Sequence, residues 1–209
     1  MSDWLEQLRA MVTSVDPLML STRVPPKDFS GRESAILIAF AEAPDGLELV
    51  LIERSHELRA HAGQPAFPGG SMAPDDHDEV ATALREAQEE IGLMPQDVTV
   101  IGTLPRLLLS VSGFAVTPVI AHWHNATYEL QPDLNEVSAV VRVPIRDFVN
   151  PANRVLVRHP SGSTGPGFFV AGLLVWGFTG AVISGLLEHL QWAEPWDDAR
   201  IVPLGSAAP

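Results

Sequence analysis

Cysteine is absent from this 209-residue sequence, and basic residues are scarce in it. Without cysteine the chain can form neither a disulfide bond nor a thiolate-ligated metal site. Lysine and arginine together number 13 against 26 acidic residues, which gives a formal net charge of −13. This balance argues against a general nucleic-acid-binding surface, because such surfaces need basic stripes. A polyanionic substrate would therefore need local help from a metal ion and a few well-placed arginines.

Long hydrophobic runs are also missing. No apolar stretch approaches the roughly 18 residues that a membrane-spanning helix needs. The start of the chain, MSDWLEQLRAMV, is acidic and amphipathic, which is not typical of a secretory signal peptide. We therefore expect no membrane partner. The lack of cysteine is compatible with a reducing compartment, and a cytoplasmic location is the one that we expect.

Apolar segments bounded by turn signals predict a mixture of strands and helices. The expected strands are residues 34–41, 47–53, 98–104, 114–123 and 136–143, and the expected helices are residues 3–12, an acidic helix that starts after Pro74, and residues 173–190. Pro118 interrupts one strand and predicts an edge or a bulge there. Glycines weaken the last helix unless close packing needs them. The order of elements indicates an α/β fold, an α/β/α sandwich on a mixed β-sheet, with a doubly wound sheet equally compatible with the pattern.

The strongest functional pattern lies in FPGGSMAPDDHDEVATALREAQEEIGL, residues 67–93. At about 100° per residue, Glu86, Glu89 and Glu90 fall within about a third of a helix circumference. Like charges at this spacing repel one another unless a positive group lies among them. The preceding Pro68-Gly69-Gly70 loop adds carbonyl oxygens to these carboxylates, and Mg²⁺ and Mn²⁺ prefer such ligands. The alternative for three glutamates alone is a solvated acidic face.

The segment REAQEEIGL resembles the Nudix box, in which Gly, five residues, Glu and seven residues precede Arg-Glu-(apolar)-x-Glu-Glu-x-Gly-(apolar). Every fixed position from residue 85 to residue 93 matches. The first half departs from the pattern, since Ser71 and His77 occupy the Gly and Glu positions. Gly70 and Asp76 lie one residue upstream of those positions, so the loop is one residue longer.

A second segment, LIERSHELRAHAGQPAFPGG at residues 51–70, resembles the extra signature of the coenzyme A pyrophosphatase branch of the Nudix hydrolases. That signature reads Leu-Leu-Thr-x-Arg-Ser, three residues, Arg, three residues, Gly-x-Val-x-Phe-Pro-Gly-Gly. The matching positions are Arg54, Ser55, Arg59, Gly63, Phe67, Pro68, Gly69 and Gly70. Ile52 and Pro65 depart from it. LVWGFTGAV at residues 174–182 is similar to the branch's Ile-Trp-Gly-(apolar)-Thr-Ala.

These patterns assign candidate roles to residues. The expected metal ligands are Glu86, Glu89, Glu90 and, by resemblance, the carbonyl of Gly70, and the catalytic set adds Arg85 and Glu136. Arg85 points about 100° away from the ligand stripe, which suits an orienting salt bridge, and its partner is left open between Asp76 and Asp78. Related enzymes place a glutamate in a late loop as base or metal support, and Glu136 fits this role or that of a plain strand-start residue.

The expected substrate-binding residues are Arg54, Arg59, His61, Phe67, Gly69, Ser112 and Phe114. Arg54 and Arg59 are the best phosphate partners, because a guanidinium can hold phosphate through two hydrogen bonds. His61 is left open between phosphate binding, proton transfer and a structural role. Ser112 and Phe114 are assigned to the pocket for the nucleotide or pantetheine end.

The resemblance implies Mg²⁺- or Mn²⁺-dependent hydrolysis of coenzyme A or its derivatives into 4′-phosphopantetheine and adenosine 3′,5′-bisphosphate. One alternative is a Nudix pyrophosphatase acting on ADP-ribose, NADH or nucleoside triphosphates, and another is a non-catalytic Nudix domain that binds a nucleotide. The partner is then a small coenzyme A-like nucleotide and not a nucleic acid, with a homodimer left open.

A single domain is expected overall. Residues 1–30 are predicted to form an N-terminal helix and a surface wrap, residues 31–190 the Nudix hydrolase domain, and residues 191–209 a C-terminal tail that is irregular after Trp196. The number of metal ions and the preference among free, oxidised and acylated coenzyme A do not follow from the sequence.

Overall fold

The computed structural model describes residues 3–21, 23–57, 61–109, 113–124 and 126–206. The helices are α1 (Asp3–Ser14), α2 (Pro17–Leu20), α3 (Glu79–Ile91), α4 (Ile145–Val149) and α5 (Gly177–His189). The strands are β1 (Arg32–Ala43), β2 (Gly46–Arg54), β3 (Pro65–Ala66), β4 (Gly69–Ser71), β5 (Val98–Thr103), β6 (Leu107–Leu109), β7 (Phe114–Trp123), β8 (Val137–Pro144), β9 (Arg154–Arg158), β10 (Thr164–Val170), β11 (Leu173–Val175) and β12 (Ile201–Pro203). Short 3₁₀ turns cover Pro95–Asp97 and Pro151–Asn153.

Most of the strands form one mixed sheet. Its order is β3-β2-β1-β7-β5, with β4 beside β1, β6 beside β7 and β8 beside β2. β1 and β7 run parallel, whereas the other neighbours run antiparallel. The central strands β1 and β7 are almost continuously apolar, as strands covered on both faces should be.

Helices cover both faces of this sheet. Alternate residues of β1 point to opposite sides, so Ile38 and Phe40 join one core cluster while Leu37 and Ala39 join the other. The first cluster is closed by α1 and α5, and the second by the apolar face of α3. This arrangement confirms the predicted α/β/α sandwich on a mixed sheet. Within the described part of the chain, no helix has the length and apolarity needed to cross a bilayer.

A second sheet, in the order β11-β10-β9-β12, corrects two predictions about the C-terminal region. The expected helix at residues 173–190 is wrong at its start, because Leu173–Val175 pairs with Val170–Phe168 as a strand and the helix begins only at Gly177. The tail is not irregular throughout, because β12 pairs in parallel with β9. The domain boundaries at residues 30 and 190 remain predictions.

Pro118 was expected to mark an edge or a bulge, but it does not lie on an edge strand and the pairing of β7 with β1 continues through it without a register shift. Pro118 lies inside β7, which pairs along its length with β1, where Ile36 is its partner. On the other side, β5 ends at Thr103 and β6 begins at Leu107, so Pro118 faces the gap between two partner strands. The Leu104 N–H donates to the Pro118 carbonyl over 2.8 Å in this gap. The missing proline N–H points the same way and therefore removes no ladder hydrogen bond.

Candidate active site

The acidic helix α3 begins at Glu79, and not directly after Pro74 as predicted, and it has a capping residue at each end. The Asp78 side chain accepts a hydrogen bond from the Ala81 N–H over 2.7 Å and caps the first turn. Gly92 ends the helix in the left-handed conformation, at φ 68°. The buried side of α3 presents Ala83, Ala87 and Ile91 to the sheet. This orientation directs the acidic stripe towards β4 and the end of β2.

Asp76 is the partner of Arg85, which resolves the choice between Asp76 and Asp78. Arg85 Nε donates to Asp76 Oδ1 over 3.0 Å, and Nη2 donates to Oδ2 over 2.9 Å. The Asp76 carboxylate also accepts from the Ala73 N–H and the Thr82 hydroxyl. Hydrogen bonding to Arg85, and then to Ala73, holds the pKa of Asp76 well below its usual range. The carboxylate is only 6% exposed, so this pair ties the loop before α3 firmly to the helix.

Arg85 also contacts two of the three clustered glutamates. Its Nη2 lies 2.9 Å from Glu86 Oε1, and its Nη1 lies 2.9 Å from Glu89 Oε2. The Asp76 hydrogen bond, and less strongly Glu86, raises the pKa of Arg85 above its usual value. The sequence pattern placed Arg85 about 100° from the acidic stripe, yet its long side chain reaches back into it. Part of the repulsion among the carboxylates is therefore offset by a residue of the same helix.

Glu90 is the most deeply buried acid of the site, with 3% of its surface exposed. The Gly69 N–H donates to its Oε2 over 2.9 Å, and Arg54 Nη1 lies 3.9 Å from its Oε1. Burial raises the pKa of Glu90 to about 7, an effect that the Gly69 hydrogen bond and the Arg54 charge only partly oppose. The charge of this carboxylate is thus incompletely compensated.

The glycine loop brings its backbone against Glu86. A Cβ atom added at Gly70 would lie 2.4 Å from Glu86 Cδ, so a larger residue would displace this carboxylate. Gly69 has φ 151°, and a Cβ there would lie 2.3 Å from the carbonyl oxygen of Ala35. Burial is also the main reason that the pKa of Glu86 is raised, with the Arg85 contact acting against it.

Glu136 reaches the site on the turn that precedes β8. This turn is fastened to the end of α3 by the Asp133 N–H, which donates to the Glu90 carbonyl over 2.8 Å. The Ser55 N–H donates to the Glu136 carbonyl, also over 2.8 Å, which ties the turn to the end of β2. The negative charge of Glu136 contributes to the raised pKa values of Glu86 and Glu90. Glu136 therefore lies close enough to act on both glutamates.

The remaining predicted substrate-binding residues have different surroundings. His61 is exposed, at φ 58°, and its Nδ1 lies 2.8 Å from Gln64 Oε1. Phe67 is 3% exposed and packs in the hydrophobic core, so its side chain supports the glycine loop and offers almost no surface to a ligand. Phe114 begins β7 beneath the guanidinium of Arg32, 4.1 Å from the ring centroid. Arg59 and Ser112 lie outside the described residues.

Two features of the site were not anticipated from the sequence. Thr82 is completely buried and donates to both Asp76 and the backbone of Asp78, so it helps to hold the partner of Arg85. Arg54, which is expected to bind phosphate, also lies beside Glu90, a contact that was not predicted. Position on the helix could have indicated Thr82, which lies one turn before Arg85. No sequence signal indicates the contact between Arg54 and Glu90.

The site lacks a complete cage of side-chain metal ligands. Among the residues that the structure describes, no three His, Asp or Glu side chains are grouped closely enough to hold a metal ion by themselves. Glu86 and Glu90 flank the glycine loop, and Glu89 is turned outward to Arg85 with 60% of its side chain exposed. A cation here would need ligands from the backbone, the substrate or solvent in addition to these glutamates.

Comparisons with known proteins agree with this geometry. Residues 31–162 match the NUDIX domain family. The chain is 43% identical over 128 residues to Nudix hydrolase NudL of Salmonella dublin, an alignment that covers 61% of this chain and 65% of that relative, just under two thirds of its length. It is 38% identical over 167 residues to Nudix hydrolase NudL of Pectobacterium atrosepticum, covering 77% of this chain and 83% of that relative.

Solved structures show the same fold at low sequence identity. The Nudix hydrolase RenU from M. smegmatis superposes with a TM-score of 0.55 at 17% identity, covering 79% of this chain and 89% of that one. A Nudix hydrolase from Alicyclobacillus acidocaldarius gives a TM-score of 0.50 at 18% identity, with coverages of 77% and 93%. At these identities the structural matches establish a shared architecture.

Proposed function

This chain belongs to the Nudix hydrolases, and from that premise we propose that it hydrolyses the pyrophosphate bond of coenzyme A or one of its derivatives. One phosphorus atom takes up the oxygen of water, and the bridging oxygen leaves with the other phosphorus. The products are 4′-phosphopantetheine and adenosine 3′,5′-bisphosphate.

The contact between the two sequence signatures carries this proposal. Arg54 and Gly69 belong to the segment that resembles the coenzyme A branch, and Glu90 belongs to the Nudix box. Arg54 Nη1 lies 3.9 Å from Glu90 Oε1, and the Gly69 N–H donates to Oε2 over 2.9 Å. The features that separate this branch from other Nudix enzymes are thus adjacent to the acidic residues, as expected if they select the substrate.

Nudix hydrolases generally use divalent metal ions, and the oxygen donors of this site suit Mg²⁺ or Mn²⁺. We assign the ligands to Glu86, Glu90, Glu89 and the Gly70 carbonyl. Glu90 supports this assignment, because its buried charge has one backbone donor and only a distant guanidinium, so a cation would stabilise it. When bound, the ion would neutralise charge on the diphosphate oxygens and orient water.

The other residues divide into positioning and binding groups. Arg85 positions Glu86 and Glu89 through its 2.9 Å contacts and is itself held by Asp76. Glu136 is exposed beside the buried glutamates, which suits a proton acceptor for water.

The remaining assignments concern substrate binding, cellular location and oligomeric state. We assign Arg54, Arg59 and His61 to the phosphates, and Gly69, Ser112 and Phe114 to the surrounding pocket. A cytoplasmic location and a homodimeric state stay predictions.

The test is to incubate the purified protein with coenzyme A, ADP-ribose, NADH or ATP in Mg²⁺ or Mn²⁺ and to separate the products by chromatography. We expect adenosine 3′,5′-bisphosphate from coenzyme A, and none after the metal is chelated. Cleavage of ADP-ribose, NADH or ATP with coenzyme A left intact would assign the chain to another Nudix activity. Calorimetric nucleotide binding without hydrolysis of any of them would indicate a non-catalytic domain.

A further inference from the structure

Arg54 forms an incomplete ion pair inside the site. Its Nη1 lies 3.9 Å from Glu90 Oε1, which is beyond hydrogen-bonding distance. Its Nε is buried and has no hydrogen-bond acceptor among the described residues. A guanidinium carries five N–H donors, so Arg54 retains donors that Glu90 does not fill. The side chain is 29% exposed, which leaves part of the guanidinium accessible to a ligand.

The backbone of Arg54 is much better fixed than its side chain. Its N–H donates to the Gln64 carbonyl over 3.1 Å, and its carbonyl accepts from the Gly63 N–H over 3.0 Å. The pairing of β2 with β8 shifts register between Glu53 and Arg54, and an irregularity of this kind re-aims a side chain at the end of a strand. A change of partner by Arg54 therefore requires only side-chain rotation.

Glu90 holds one contact that is fixed and one that can be replaced. The Gly69 N–H belongs to the glycine loop and stays with Oε2, whereas the long contact of Oε1 to Arg54 can be given up to a stronger partner. A divalent cation at Oε1 would repel a guanidinium a few ångströms away. A phosphate oxygen, in turn, would offer Arg54 a shorter and charge-assisted hydrogen bond.

We propose that Arg54 is an exchangeable counter-ion, which pairs with Glu90 before the metal ion binds and transfers to a substrate phosphate when the ion takes its place. This inference rests on the proposed function, since it takes Glu90 as a metal ligand. Arg54 then opposes metal binding in the absence of substrate and favours it in its presence. Metal and phosphate therefore bind cooperatively, because each ligand raises the affinity of the protein for the other by the same factor.

Mn²⁺ binding, measured by electron paramagnetic resonance without substrate, tests the first half of the exchange. Arg54→Met removes the competing charge and keeps an unbranched apolar stem, so we expect it to bind Mn²⁺ roughly tenfold more tightly than the parent protein. Arg158→Met is the control, because it removes one charge from an exposed position on β9, in the second sheet. We expect it to bind Mn²⁺ within about twofold of the parent affinity.

Inorganic phosphate is the probe for the second half. In the parent protein, phosphate is expected to raise Mn²⁺ affinity about fivefold or more, and this measurement requires no variant. The gain should persist in Arg54→Lys, which retains the charge, and shrink to under about twofold in Arg54→Met.

The outcomes separate the exchange from the proposed function. Equal or weaker Mn²⁺ binding by Arg54→Met, or no effect of phosphate on the parent protein, would overturn the exchange and leave the proposed function standing. Absence of Mn²⁺ binding from the parent and from all variants would overturn both.

Discussion

Helices α3 and α5 each contain 13 residues and cover opposite faces of the large sheet, but they are built differently. α3 buries one apolar stripe against the sheet, presents an acidic stripe to the glycine loop and is capped by Asp78 and Gly92. α5 buries more than half of its residues, and its N-cap residue Trp176 makes no side-chain capping hydrogen bond. The comparison shows that α3 supplies the acidic side chains of the candidate site, whereas α5 packs in the core.

Close packing explains why α5 contains glycines, the residues that weakened the prediction of a helix in this segment. A Cβ atom added at Gly180 would lie 2.7 Å from the Pro166 carbonyl oxygen, and one at Gly185 would lie 2.3 Å from that of Met19. Both contacts are with backbone, which cannot move aside as a flexible side chain can. The glycines lower the helix propensity of α5, but they allow it to pack directly against β10 and α2.

The different roles of the two helices can be tested most directly by replacing one glutamate in each helix with glutamine. Glu90→Gln in α3 should lower turnover of coenzyme A by about a thousandfold, because it removes a charged ligand that stabilises the transition state. The fold should persist, because glutamine retains an acceptor for the Gly69 N–H and avoids a buried charge. Steady-state kinetics and thermal unfolding measure the two effects.

The matched control is Glu188→Gln in α5. Glu188 Oε1 lies 3.3 Å from Nη2 of the buried Arg154, so this variant should lose about 1 kcal/mol of unfolding free energy and keep turnover within about twofold. If Glu90→Gln retained parental turnover, Glu90 would not be a metal ligand.

Gly185→Ala should change the stability of the fold and not the catalytic activity. The added methyl group meets the backbone of α2, so we expect a loss of about 2–3 kcal/mol in unfolding free energy, measured by urea denaturation. Gly165→Ala is the matched control, because a Cβ atom there meets no atom within 4 Å and we expect a change under about 0.5 kcal/mol. Equal losses in both variants would contradict the close-packing explanation.

Asp76→Asn should lower the free energy of unfolding by about 2 kcal/mol. Arg85 keeps its contacts with Glu86 and Glu89 in this variant but loses the charge of its most buried partner. The pKa of Asp76 is lowered by folding, so its contribution is complete above the unfolded-state pKa of about 4 and declines as pH falls towards the folded-state pKa. Urea denaturation between pH 7 and pH 3 should show the difference from the parent narrowing in acid. Asp75→Asn, at an exposed neighbour, should show no such dependence.

The smallest effect is expected at the cap of α3. Asp78→Ala removes the 2.7 Å hydrogen bond to the Ala81 N–H and should cost about 1 kcal/mol, measured by thermal unfolding. Asp78→Ser should restore most of the loss, since serine is also a good cap. A full loss in the serine variant would indicate that the Asp78 charge, and not the cap, is what stabilises the helix.

Local signals predicted more of α3 than of α5. The apolar stripe, the acidic stripe and the C-terminal glycine of α3 lie within one segment, so its orientation and its end could be predicted, but its start was placed four residues too early. The apolar run at Leu173–Val175 is compatible with a helix or a strand, and only its pairing with β10 decides between them. The same reason applies to β12, whose partner β9 lies far away in the sequence.

The grouping of the three glutamates could be predicted from the sequence, but the contacts that each of them makes could not. Spacing identified Glu86, Glu89 and Glu90 because a helix places them at known angles. It could not choose between Asp76 and Asp78, since that choice depends on how the loop before α3 folds back. The contact of Arg54 with Glu90 joins a strand end to a helix, and no local pattern records such a contact.

The glycine loop has a practical consequence for redesign of the enzyme. Position 69 is closed to side chains by the backbone of β1, and a side chain at position 70 would displace the Glu86 carboxylate. Mutant libraries aimed at a new substrate would therefore gain nothing by varying these positions. Diversity is better directed to the exposed positions 61 and 62, because Gly63 has φ 66° and a Cβ atom there would lie 2.6 Å from the His56 ring.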